Sequence, residues 1–132
     1  MDSLNISTGA KHIAITRDGE SVGELVFNPS DAVFAEKFYR LITEFETKFT
    51  EYETQLEGAT QEETIALLSR TCTYVRERID YLFGAGTSQL VFGDAMVMDA
   101  FGQFFDGIGQ FFSTVRGEKI AKYTGKRSKR AL

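Results

Sequence analysis

Few residues in this chain have side chains that do chemistry, and they do not cluster. His12 is the only histidine and Cys72 the only cysteine, sixty positions apart. Either could ligate a metal or act as base or nucleophile, but both roles need companions that the spacing does not supply. A strand-surface histidine and a core thiol are the expected readings. Asp99 and Asp106 stand two helical turns apart, about 10 Å along an axis. Paired carboxylates do acid–base work only where a pocket raises one pKa, and these two fall on a polar helix face. Gly84-Ala85-Gly86 lacks the Lys-Ser/Thr of a phosphate loop and reads as a helix stop. No HExxH, CxxC or GxSxG occurs. The expectation is a non-enzyme with no catalytic residue, no metal site and no cofactor.

The pattern that remains is recognition by apolar surface. Between Asp94 and Val115, apolar residues recur at Val97, Met98, Phe101, Phe104, Phe105, Ile108, Phe111, Phe112 and Val115. Steps of three and four describe one side of a helix, here an arc of about 140°, with Asp99, Gln103, Asp106 and Gln110 opposite. Such a stripe must be covered, by the chain's own helices or by a partner. Phe101, Phe104, Phe105, Ile108, Phe111 and Phe112 are therefore the candidate partner-binding residues, and self-association as a homo-oligomer is expected from the same excess of aromatics. Gly102 and Gly109, on one border of the stripe, suggest a backbone that another helix approaches closely.

The chain has 132 residues, 42% hydrophobic and 26% charged, which suits one globular domain and argues against wholesale disorder. A lone cysteine fits a reducing cytoplasm, and the start at Asp2 shows neither the basic nor the apolar region of a secretion signal. The Phe-rich segment carries too many acids and amides for a bilayer span, and acids rather than lysines on its polar face, so no membrane contact is expected. Charge is divided unevenly. From Arg116 onward seven Lys and Arg face only Glu118, a balance of +6, whereas Met1 to Val115 holds eighteen acids against eight bases, a balance of −10. An acidic body repels phosphates and the tail lacks interleaved aromatics, so nucleic acid is an unlikely partner.

Stepping along the chain, residues 1–27 read as a β-hairpin region. Lys11 to Thr16 and Ser21 to Phe27 alternate around an Asp18-Gly19 turn of the type I′ kind, and Leu4 to Ser7 offers a further edge strand. Residues 29–83 read as an antiparallel helical hairpin. Asn28 can cap and Pro29 suits the first helical position. One face then runs Phe34, Phe38, Leu41, Ile42, Phe45, Phe49, Tyr52 and Leu56. After Gly58, Thr60 and Glu63 form a capping box, and Ile65, Leu68, Cys72, Val75, Ile79 and Leu82 line the second helix to Gly84. Ser88 to Phe92 is a short helical turn or extended piece. Asp94 caps a C-terminal helix over 94–123, and 124–132 is a basic, flexible tail. The class is mainly α with a small N-terminal β-hairpin (α+β), a helical hairpin plus a Phe-rich third helix.

This order of parts has a likeness. A short hairpin, Phe27-Asn28-Pro29-Ser30-Asp31 opening a long helix, Leu82-Phe83-Gly84 closing the second, a second Phe92-Gly93, the Phe-rich helix and a tail from Lys122-Tyr123 to Lys126-Arg127 follow in sequence. The arrangement resembles the tail assembly chaperones of long-tailed (siphovirus-type) bacteriophages, over nearly the whole chain and by order and spacing rather than by a signature motif. The resemblance implies a chaperone in the cytoplasm of the infected bacterial host. Its implied task is to coat the hydrophobic, helical tape measure protein before tail tube subunits polymerise around it. It also implies, in many such phages, a frameshifted longer product that recruits tail tube protein. The alternative is a structural head–tail connection or tail component forming a ring in the virion.

Overall fold

The computed structural model describes residues 1–124, with side chains through Phe112. Its elements run β1 (Lys11–Arg17), β2 (Glu20–Phe27), α1 (Ala32–Leu56), α2 (Gln61–Phe83), α3 (Thr87–Phe92) and α4 (Met98–Thr124). The fold is mainly helical with one two-stranded antiparallel sheet, the α+β class expected. Apart from Thr124, the tail read as basic and flexible lies outside the described residues.

Asp18 and Gly19 both take positive φ, 53° and 84°, which is the type I′ turn that matches the twist of the two strands. Ile13 pairs with Leu25, and these two turn with Ile15 and Phe27 toward the helices. The register slips between Ile15 and Thr16, leaving an extra residue on β2 beside Gly23. Gly23 has φ 145°, a conformation L side chains rarely adopt, and a Cβ there would also push on Leu90 Cδ1 of α3, 2.7 Å away. The expected edge strand at Leu4 to Ser7 does not form. The sheet has two strands, and Leu4 and Ile6 stand exposed with no strand to pair with.

The first helix begins three residues later than Asn28-Pro29 suggests. Asp31 is its cap, accepting from the Val33 and Phe34 amides at 2.8 and 3.1 Å. Asn28 is engaged elsewhere: its Oδ1 accepts from the Ser30 amide and its Nδ2 donates to the Thr8 carbonyl. The helical hairpin thus spans 32–83 rather than 29–83. The capping box of α2 forms as expected, Thr60 accepting from the Glu63 amide while Glu63 accepts from the Thr60 amide. Across the seam of α1 and α2, Glu44 accepts from Tyr74 Oη at 2.5 Å and from Arg78 Nε at 2.9 Å.

Ser88 to Phe92 is helical, and a residue from another element decides it. Asp80 of α2 accepts from both the amide and the hydroxyl of Ser88, at 2.7 and 3.0 Å, and so caps α3 from outside. At its other end Arg17 donates to the Leu90 carbonyl at 2.8 Å, a cation where the helix dipole favours one. The Phe-rich helix, expected from Asp94, starts at Met98 and is the fourth helix, not the third. Residues 94–97 are instead held in a connection: Asp94 accepts from Gln89 Nε2, and Arg76 donates to the Ala95 carbonyl.

One hydrophobic core draws on every element. α4 runs antiparallel to α1, as the ring pairs Phe34–Phe112 and Phe45–Phe105 require. Tyr52, Leu56 and Ile65 lie outside this core, because beyond Phe49 the hairpin has passed the start of α4 and nothing covers it. Ile65, expected on the inner face of α2, is therefore exposed, and Leu67 and Thr71 are buried toward α1 in its place.

Candidate interaction surface

The aromatic stripe of α4 divides into a centre and two borders. Phe101 is fully buried, its ring edge-on to Phe92 at 4.9 Å. Phe104 meets Phe83 and Phe92, Phe112 stacks on Phe38 at 4.5 Å, and Ile108 is 2% exposed. Edge-on and offset ring pairs of this kind each add about 0.5–1.5 kcal/mol beyond the area they bury. Four of the six candidate partner-binding residues are corrected here: Phe101, Phe104, Ile108 and Phe112 are buried against the chain's own hairpin and sheet. Phe105 and Phe111 are the two that keep a partly exposed face.

Each of these borders a groove. Between β1 and α4 a cleft of 740 Å³ has Ile13, Ile15, Val91, Ala100, Phe104 and Phe111 among its walls. Between α1 and α4 a second, of 680 Å³, is formed by Phe38, Tyr39, Ile42, Phe105, Asp106, Gly109 and Gln110. The pattern of α4 alone points to neither groove, since both need a second wall. Tyr39, 49% exposed, was left out by sequence reasoning, and Ile42 was read on the apolar face of the first helix but not among the six partner-binding residues. Their signal was present: Tyr39 lies just off the apolar face of α1, at the edge where that face widens.

The groups with chemical potential are dispersed. His12 Nδ1 lies within hydrogen-bond distance of Glu24 across the outer face of the hairpin, both exposed. Cys72 is sealed in the core, and burial pushes its thiol pKa up, only partly offset by Arg76. A thiol held protonated packs as a small hydrophobe rather than a nucleophile. Asp99 and Asp106 are exposed, and Gly84-Ala85-Gly86 is the turn between α2 and α3. Among the described residues no three of His, Cys, Asp and Glu approach closely enough to hold a metal ion. No helix there is long and apolar enough to cross a membrane.

The strongest electrostatic cluster ties helices together. Burial raises the Glu44 pKa, but the hydrogen bonds from Tyr74 and Arg78 outweigh it and hold the carboxyl below its ordinary value. Tyr74 is pushed up to about 12, by burial first and by its bond to Glu44 second. This network is partly exposed and joins α1 to α2 away from both grooves.

Fold and surface together define a small α+β protein organised around one aromatic helix between two apolar grooves. By sequence the chain belongs to a family of unknown function, DUF6673, matched over residues 22–131. The match takes in most of β2 and all four helices, and so both walls of the α1–α4 groove but only one wall of the β1–α4 groove. No curated protein and no solved structure matches the chain.

Proposed function

We propose that this protein is a non-enzymatic tail assembly chaperone of a long-tailed bacteriophage. It shields the apolar helical tape measure protein in the host cytoplasm until tail tube subunits assemble. The observation that carries the reading is the half-open pair Phe105 and Phe111, one in each groove beside a helix whose centre is already sealed. A helix laid into a groove is read by anchors three and four residues apart, and grooves walled by Phe, Ile, Val and Ala suit that mode. The charge of −10 on Met1 to Val115 keeps such a complex soluble.

The test is co-expression with the tape measure protein encoded nearby. Phe111→Asp is expected to abolish co-purification while the circular dichroism of the chain stays helical. Phe104→Asp is not a clean probe, because Phe104 is 8% exposed and a charge there disrupts the core. Undiminished capture by Phe111→Asp and by Phe105→Asp together would count against the reading. The encoding DNA offers a second check, a slippery heptamer near the last codons followed by an overlapping frame.

A ring component of the virion is the second reading, favoured by the opposite charges of body and C-terminal segment. Mass spectrometry of purified virions separates the two, since a component is present in stoichiometric copies and a chaperone is absent.

A further inference from the structure

The groove between α1 and α4 has walls that differ from those of the β1–α4 cleft. Along α1, the line Tyr39, Ile42, Glu46, Phe49 follows steps of three and four, and along α4 so does Asp99, Gly102, Asp106, Gly109. The floor between them is apolar, from Phe38, Ile42 and Phe105. Glu46, Asp99 and Asp106 are all exposed, and none takes part in an ion pair among the described residues. The bases of α1 point elsewhere: Lys37 and Arg40 flank Glu44 on the α2 side, and Lys48 sits over Tyr74. The result is an apolar trough with Asp106 in its lining, Glu46 in step with Ile42 on the opposite helix, and no base among the described residues that line it.

Gly102 and Gly109 lie on the α4 bank, and a Cβ on either would meet nothing within 4 Å. Each glycine costs a helix about 1 kcal/mol relative to alanine. Among the described residues nothing offsets that cost, for none of their atoms comes within 4 Å of a Cβ at either position. The missing side chains widen the trough toward the outside.

We infer that in the protein alone this trough receives the basic C-terminal segment of a second copy of the chain, which the tape measure protein displaces from it under the function proposed above. Residues 116–132 carry Arg116, Lys119, Lys122, Lys126, Arg127, Lys129 and Arg130 against Glu118 alone. Ile120 and Tyr123 stand three apart, and Lys119 and Lys122, each one position before them, fall together on one flank of that apolar ridge. The ridge fits the floor and the flanking cations fit an acidic bank. Ile120 and Tyr123 cannot fill the trough of their own chain in this way. Both belong to α4 itself, beyond Phe112 on the same continuous helix that forms the wall. Trough and segment are different surfaces, so two copies can exchange segments reciprocally in a two-fold dimer or pass them head-to-tail in a ring or filament.

The test uses the full chain alone, so its outcome does not depend on the chaperone reading. Sedimentation velocity at about 100 mM salt is expected to show a species larger than one subunit that shifts toward monomer at about 500 mM, where charge pairs are screened. Lys119→Glu with Lys122→Glu, and separately Glu46→Lys with Asp106→Lys, should each weaken association by about tenfold or more. Mixing the two variants should restore it, because the reversed charges match again. Gly109→Leu should also dissociate the assembly while raising the melting temperature, a pairing that general damage to the fold does not produce. A wild-type chain that stays monomeric at every concentration overturns the inference, as do charge reversals that leave the mass unchanged or fail to rescue one another. Loss of tape measure capture from the trough variants, with self-association intact, assigns the trough to a foreign helix and also overturns it.

Discussion

On α4, residues one position apart meet different fates. Phe104 is buried between Phe83 and Phe92, while its neighbour Phe105 touches Phe38 and Phe45 on one side and opens into a groove on the other. Phe112 is stacked under α1, while Phe111 meets Phe27 edge-on and lines the opposite groove. The apolar stripe is about 140° wide, and the surfaces of α1, α2 and the sheet that face it cover less than that. Width beyond the cover is what a subunit has left for other molecules. Stability and recognition therefore occupy adjacent lines of one helix, and substitutions can separate them.

The largest expected effect is at the centre. Phe101→Ala removes a ring with no exposed surface and leaves a cavity, and it should cost about 3–5 kcal/mol in urea unfolding. Phe105→Ala, whose ring keeps a partly exposed face, should cost less by the same area argument. Equal losses at the two positions would show that border and centre contribute alike to the fold, and the division drawn above would fail.

That division was only half legible in the sequence. Periodicity marks the stripe, because an i, i+3, i+4 pattern is local, but it carries no record of how broad a surface will face it. Local chemistry was read reliably at Thr60 and Glu63, where both partners of the capping box lie within one turn. It failed at the start of α1, where Asn28 and Asp31 are both good caps. The choice fell to Asp31 because Asn28 is held by Ser30 and by Thr8, twenty residues upstream. Six residues of α3 are too few for a period to show, and Asp80 from α2 fixes their helix. Asp94 looked like a cap until Gln89 and Arg76 tied its neighbourhood into a connection. Gly102 and Gly109 were read as making room for a helix. The room exists, but on the outer side of the molecule.

A smaller effect distinguishes the seam of α1 with α2 from the seam of α1 with α4. The first is closed by a carboxylate and the second by rings, so only the first should respond to pH. Because the folded pKa of Glu44 is lowered, the unfolded chain binds its proton first on acidification. The stability that Glu44 contributes is complete above its ordinary value of 4.5 and is lost as pH falls through the folded value. Tyr74 works in the opposite sense at the other end of the scale. Its contribution is complete below pH 10 and disappears as pH rises through about 12. Urea unfolding across acid pH should therefore show a steeper fall for the wild type than for Glu44→Gln. Phe105→Ala should keep the whole wild-type slope, and a flattened slope there would mean that the two seams are coupled.

The smallest effect is at the border glycines, and it has the opposite sign. A methyl group at Gly109 meets no atom within 4 Å, and the residue is helical without a positive φ. Gly109→Ala should then stabilise the isolated subunit by up to about 1 kcal/mol, through the lower backbone entropy of the unfolded chain. At Gly23, by contrast, the same change drives a Cβ into Leu90 at a φ that alanine resists, and it should destabilise. Two glycine substitutions with opposite signs, measured side by side by thermal unfolding, separate the glycine the fold requires from the one it does not use. If Gly109→Ala destabilises as Gly23→Ala does, then α4 is packed more tightly along that border than the open trough allows, and the surface assigned to another copy is part of the subunit's own core.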